Sequence, residues 1–201
     1  VSDKLSLLKN LVKNMDVLII GGAMANTFLK AQGHNIGKSV FEESLVDKAR
    51  EIIDYAGECN TKLLLPVDVV VADHFAEDAE HKTVPVDQVP EGWMILDIGP
   101  ETVKVYQEYI DQARTVFWNG PMGVYEFEAF SAGTNGVARA IASAAAISVV
   151  GGGDSLAAVY HLGLQNGITH ISTGGGATLE FLEGKKLPGL ESCECRQQLV
   201  G

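Results

Sequence analysis

Three glycine clusters each stand between an apolar run and an amphipathic stretch: Leu18-Ile19-Ile20-Gly21-Gly22-Ala23, Ser148-Val149-Val150-Gly151-Gly152-Gly153-Asp154 and Ile171-Ser172-Thr173-Gly174-Gly175-Gly176-Ala177. Glycine permits backbone angles that other residues avoid and lets a ligand come close to bare amides. Amides at a helix start, together with the helix dipole, attract anions such as phosphate. A single cluster of this kind would be a tight strand-to-helix turn. Three at the carboxyl end of one sheet predict an anion site. Asp154, directly after Gly151-Gly152-Gly153, is placed either to cap a helix or to hold Mg²⁺, which prefers one or two carboxylates plus nucleotide phosphates. Ser155 beside it offers an amide or a hydroxyl to a phosphate. Glu126 follows the turn-forming Asn119-Gly120-Pro121-Met122-Gly123-Val124 and is either a solvated loop residue or an acceptor for ribose hydroxyls. Lys4 falls in the first turn of a predicted helix, where a cation is disfavoured unless an anion lies nearby.

Other nucleotide and hydrolase signatures fail. Gly33-His34-Asn35-Ile36-Gly37-Lys38-Ser39 has three residues between its glycines where a phosphate-binding Walker loop needs four, and it follows a helix instead of a strand. Leu156 and Leu179 occupy the positions where a dinucleotide fingerprint would place its last glycine. None of His34, His74, His81, His161 and His170 has a nucleophile or carboxylate at telling spacing, so all five read as surface or packing residues. Cys59, Cys193 and Cys195 are too few for a disulfide framework and read as reduced thiols, which favours a cytoplasmic setting.

The elements that must position these groups follow from the hydrophobic pattern. Apolar runs predict strands at Val17–Ile20, Leu63–Val71, Trp93–Ile98, Thr115–Trp118, Ile147–Val150 and His170–Ser172. Runs such as Val17-Leu18-Ile19-Ile20 are apolar throughout, as strands buried on both faces are. Helical spacing predicts helices over Lys4–Asn14, Ala23–Ala31, Glu42–Tyr55, Thr102–Ala113, Gly136–Ala145, Leu156–Leu164 and Ala177–Leu182, with an excursion or small β-ribbon at His74–Gln88. Alternating strands and helices imply an α/β fold, a parallel sheet covered on both faces. In such a sheet ligands bind outside the carboxyl ends of the strands, where the glycines stand. The 201 residues suffice for one domain, and no linker divides them. With 15 Lys plus Arg against 26 Asp plus Glu, the formal charge of −11 excludes the basic footprint of a general nucleic-acid binder. That charge also requires local amides, lysines and a metal to create any nucleotide pocket. No apolar run approaches the ~18 residues of a membrane span. The chain starts at Val1 without the layout of a signal peptide, and is expected to be a fragment or processed chain.

Taken together, the motifs resemble one family. Val1-Ser2-Asp3-Lys4, Leu18-Ile19-Ile20-Gly21-Gly22-Ala23-Met24-Ala25, Leu65-Pro66-Val67-Asp68, Trp118-Asn119-Gly120-Pro121-Met122-Gly123-Val124, Gly151-Gly152-Gly153-Asp154 and Ser172-Thr173-Gly174-Gly175-Gly176-Ala177 occur in the order found in phosphoglycerate kinases. The resemblance covers the carboxyl-terminal, nucleotide-binding domain over residues 1–189, with residues 190–201 as a tail. It implies a three-layer α/β/α Rossmann-like domain and phosphoryl transfer between ATP and 3-phosphoglycerate, with Mg²⁺, in glycolysis. Carried over by motif, Lys4 contacts nucleotide phosphate and Glu126 the ribose. Gly22, Leu96 and Pro121 wall the adenosine pocket, and Asn119 lies near the phosphates. Gly152, Gly153, Asp154 and Ser155 line the phosphates, with Asp154 holding the metal. Gly175 and Gly176, with Gly152 and Gly153, offer amides to the phosphoryl group in flight. Ala23, Ile95 and Ser155 stand where the family more often has Gly, Gly and Thr.

The resemblance also implies what lies outside this chain. In the family a strand and a Gly-Gly-Ala-Lys turn precede Val-Ser-Asp-Lys, and the strand is central to the sheet order 3-2-1-4-5-6. The expectation is therefore a sheet without its first central strand and with two open apolar edges. The partner expected is an amino-terminal domain carrying the 3-phosphoglycerate site, the complete enzyme being a monomer. The alternative is an isolated module that binds Mg-ATP or Mg-ADP without turnover.

Overall fold

The structure, a computed structural model, describes residues 2–174, with side chains from Leu7 onward. Ser2–Asn14 forms α1 and leads into β1 (Val17–Ile19), followed by α2 (Gly22–Ala31), α3 (Val46–Glu58) and β2 (Lys62–Leu64). The order continues as β3 (Asp68–Ala72), β4 (His81–Pro85), β5 (Met94–Ile98), α4 (Pro100–Gln112), β6 (Thr115–Asn119), α5 (Ala132–Ser143), β7 (Ile147–Gly151), α6 (Gly153–His161) and β8 (His170–Ser172). The expected α/β architecture is present: parallel strands joined by helices that pack on them. The helix expected over Ala177–Leu182 and the boundary at residue 189 lie outside the described residues.

The sheet is interrupted. β1 pairs in parallel with β2, and β6, β7 and β8 form a separate parallel set in that order. Among the described residues no strand pairs with the second edge of β1 or of β6, and both strands line a cavity. Apolar packing is divided in the same way. One buried cluster gathers Leu8, Val12, Leu18, Phe28 and Ile52 from the α1–α3 half. The other gathers Tyr106, Trp118, Ile141, Val150 and Val159 around β6 and β7.

Two strand expectations change. The run Leu63–Val71, read as one strand, divides into β2 and β3 around Pro66 and the exposed Val67. Proline has no N–H to give a ladder. The run Trp93–Ile98, read as a strand of the parallel sheet, joins a second sheet of order β4-β3-β5, antiparallel throughout. The polar stretch His74–Gln88 supplies β4 of that sheet, as the ribbon reading anticipated.

Buried carboxylates fix the helices against this frame. Asp68 accepts from the amides of Glu101 (3.1 Å) and Thr102 (2.7 Å), capping α4 across space because its N-cap residue, Gly99, has no side chain to do so. Asp97 accepts from the Gly133 amide (2.7 Å) in the first turn of α5. The two contacts set where α4 and α5 begin, and hence the loops at the carboxyl ends of the strands.

Candidate functional site

The turn after β1 is built for close approach. Gly22 takes φ +62°, a left-handed angle that favours glycine, and its amide donates to the Met122 carbonyl (3.0 Å). This hydrogen bond joins the turn after β1 to the turn after β6. Tyr106 from α4 donates its hydroxyl to the Ile20 carbonyl (2.8 Å), and burial pushes that phenol well above the ordinary tyrosine range. The β1 turn is thus held from both sides.

The turn after β6 reads Asn119-Gly120-Pro121-Met122-Gly123. Trp118 donates its indole N–H to the Gly120 carbonyl (2.7 Å), and the Met122 amide donates to the buried Thr134 hydroxyl (3.0 Å). The Gly120 amide donates to the Ser155 hydroxyl (2.6 Å). Ser155 is fully buried, so its side chain ties the start of α6 to this turn. The structural use of that hydroxyl was not visible in the sequence.

At the start of α6, Gly152 adopts φ +88°, and a Cβ there would come within 3.1 Å of the Asn119 amide nitrogen. A Cβ on Gly153 would meet nothing within 4 Å. The first intrahelical bond of α6 runs from the Leu156 amide to the Gly152 carbonyl (3.1 Å). The amides of Gly153, Asp154 and Ser155 therefore have no acceptor inside the helix, the usual state of a first turn. Asp154 is exposed beside them. Tyr125 connects this region to Glu126: its phenol is raised by burial first, then by the charges of Asp154 and Glu126. Two carboxylates expected in one site thus act on one ring.

A cavity of about 1220 Å³ opens between the two halves of the sheet, and Gly22, Leu96, Asn119, Pro121 and Glu126 all line it. Of the residues expected in the site, these five share one space. Gly152 and Ser155 adjoin it through Asn119 and Gly120. The side chain of Lys4, and Gly175 and Gly176 entirely, lie outside the described residues. Among the described residues lining the cavity, Lys38 is the single lysine or arginine. Sequence reasoning set it aside with the failed Walker loop, although a lysine after glycine was a visible signal. Among the described residues no group of three or more His, Cys, Asp and Glu side chains is gathered to hold a metal. Asp154 alone supplies a hard oxygen next to free amides, which suits Mg²⁺ shared with phosphates and not a cation held by protein only.

Comparison with known proteins identifies the family. The sequence profile of the phosphoglycerate kinase family matches residues 1–185. The phosphoglycerate kinase of Moorella thermoacetica is 58% identical over 190 residues, 94% of this chain and 48% of that protein. That of Rubrobacter xylanophilus is 53% identical over 199 residues, covering 99% and 50%. The structure of phosphoglycerate kinase from Coxiella burnetii superposes with a TM-score of 0.92 at 49% identity, over 97% of this chain and 50% of that one. The chain spans about half the length of the relatives it matches.

Proposed function

This chain belongs to the phosphoglycerate kinase family, and on that premise we infer that it supplies the nucleotide half of a reversible phosphoryl transfer from ATP to 3-phosphoglycerate, yielding ADP and 1,3-bisphosphoglycerate. The observation that carries the reading is the junction of the β6 turn with the α6 start, made by the Gly120 amide on Ser155. It supports the reading because Asn119 lies against Gly152 at the start of α6, where the first amides have no acceptor inside the helix.

Phosphoryl transfer depends chiefly on positioning and on neutralising charge. Gly22, Leu96 and Pro121 line an apolar wall for the base, and Glu126 accepts from the ribose. The amides of Gly152, Gly153, Asp154 and Ser155 receive the phosphates, with Lys4 and Asn119 near them. Gly175 and Gly176 extend the row of amides toward the group being transferred. Asp154 is the residue that would hold Mg²⁺, whose chemistry is to offset phosphate charge. The acceptor site belongs to the other half of the polypeptide, and the complete enzyme acts as a monomer in the cytoplasm. Among the described residues no helix is long and apolar enough to cross a membrane.

Calorimetric titration with ADP, with and without Mg²⁺, tests this. Asp154→Ala should weaken Mg-ADP binding by roughly tenfold or more, corresponding to ~1.4 kcal/mol, and leave metal-free ADP nearly unaffected. Equal losses in both titrations would make Asp154 a helix residue and remove the metal from this position.

A further inference from the structure

An asparagine followed by glycine can modify itself, because glycine sets no Cβ in the way of its own nitrogen closing on the preceding carboxamide. The chain has three such pairs, Asn119-Gly120, Asn135-Gly136 and Asn166-Gly167. Ring closure requires the glycine N–H to give up its proton, so the acceptor on that N–H decides how easily each pair reacts. Gly136 lies inside α5, where the Asn135 side-chain amide also donates to the Ser131 hydroxyl (3.2 Å). The Gly167 amide donates to the Leu164 carbonyl (2.9 Å) within its own short turn. Both pairs are restrained by main chain close to them in sequence.

Asn119-Gly120 differs. The Gly120 amide donates to the hydroxyl of Ser155 (2.6 Å), a fully buried side chain 35 residues away. Gly120 takes φ +101°, so the turn is one that glycine alone adopts readily. The Asn119 side chain is exposed, and its carboxamide lies against Gly152, where an added Cβ would come within 3.1 Å of the amide nitrogen. The reacting carbon is therefore open to solvent, and the reacting nitrogen is held by a side chain of α6 and not by its own turn.

We propose that Asn119 is a site of spontaneous deamidation and that the Ser155 hydroxyl is the latch that restrains it. When the latch opens, the Gly120 nitrogen loses its proton to solvent and bonds to Asn119 Cγ. The Cγ–Nδ2 bond breaks, and the nitrogen leaves as ammonia after taking a proton. Water then opens the succinimide ring, at the side-chain carbonyl to give aspartate or at the main-chain carbonyl to give isoaspartate. One water is consumed and one ammonia released, with no oxidant or reductant. Either product sets a new negative charge against the start of α6. Isoaspartate also adds a carbon to the main chain ahead of Gly120, which shifts the amide away from Ser155 and keeps the latch open. The proposal requires nothing of the nucleotide reading.

The test incubates residues 1–201 without nucleotide in mildly alkaline buffer and follows all three pairs by peptide mass spectrometry, with isoaspartyl methyltransferase labelling as a second reading. Ser155→Ala should speed the loss of Asn119 about fivefold or more, the worth of one hydrogen bond, and leave Asn135 and Asn166 at their wild-type rates. Ser155→Thr keeps the hydroxyl and should restore the slow rate. Wild-type Asn119 should also convert at least about fivefold more slowly than in a free peptide of residues 116–124, a comparison that stays decisive if the alanine variant fails to fold. An unchanged rate at Asn119 in Ser155→Ala, equal acceleration at all three pairs, or no rescue by threonine would overturn the proposal. So would equal rates in the folded chain and the free peptide.

Discussion

Asp97 is the most deeply buried carboxylate among the described residues. It lies within the apolar strand β5, is 1% exposed, and accepts from the amides of Ile98 (2.9 Å) and Gly133 (2.7 Å). Glycines at 123 and 133 leave room for it; a Cβ at either would run into its carboxylate. Burial raises its pKa from about 3.8 to about 7, and the Gly133 and Ile98 amides only partly oppose the rise. The native state therefore holds this proton more tightly than the unfolded chain. The resulting stability is fully present below about pH 4 and is lost as pH rises through about 7. At ~1.4 kcal/mol per pKa unit, the loss has an upper bound of roughly 4 kcal/mol. Asp97→Asn should flatten the pH dependence of the melting temperature between about pH 4 and 7, the interval between the unfolded and native pKa of this group. An unchanged slope in the variant would show that the native carboxyl does not take up its proton there. Asp97 was not singled out in the apolar run Met94-Ile95-Leu96-Asp97-Ile98. Its partner Gly133 lies 36 residues away, a contact that no local pattern reveals.

At the scale of elements, the helix starts carry both fold and site. Asp68 and Thr102 form a buried pair: the Thr102 hydroxyl accepts from the Val67 (3.0 Å) and Asp68 (3.1 Å) amides, and lies 2.6 Å from the Asp68 carboxylate. Asp68→Ala leaves the amides of Glu101 and Thr102 without their acceptor, and should cost roughly 1–3 kcal/mol. Urea unfolding would read this as a lower midpoint at unchanged slope. At the start of α6, Gly152→Ala places a Cβ where φ is +88° and where the Asn119 side chain stands. It should destabilise the chain by about 1–3 kcal/mol and lower nucleotide affinity, measurable by unfolding and titration of the same sample. If affinity holds while stability falls, Gly152 serves the turn alone. The glycine turns were legible because a strand, a glycine pair and a helix follow one another within a few residues. The division of Leu63–Val71 was less so. Its apolar run reads as one buried strand, and only Pro66 marks the place where the chain leaves the parallel sheet for the antiparallel one. Strand direction in β5 was not legible at all, because an apolar run pairs either way and its partner β3 is chosen by topology.

For the whole molecule, the proposed phosphoryl transfer has two substrates to position. Positioning two reactants can supply roughly 7–11 kcal/mol of a barrier, but only when both are held. A phosphorylated carboxylate needs clustered cations. The chain has four arginines, Arg50, Arg114, Arg139 and Arg196, none adjacent to another in sequence. Among them Arg50 is already committed, its guanidinium bound to Asp47 (2.9 Å) and the Ala31 carbonyl (3.0 Å). Residues 1–201 should therefore bind no 3-phosphoglycerate at sub-millimolar concentration and show no turnover above background in a coupled assay. Nucleotide affinity and turnover have separate requirements. A strand followed by a Gly-Gly-Ala-Lys turn, as the family resemblance implies ahead of Val1, should when added raise solubility and nucleotide affinity by closing two apolar edges, yet create no turnover on its own. Turnover should arise only when the acceptor-binding domain is added as well. Conversion of ATP and 3-phosphoglycerate by residues 1–201 alone would place the acceptor site in this half.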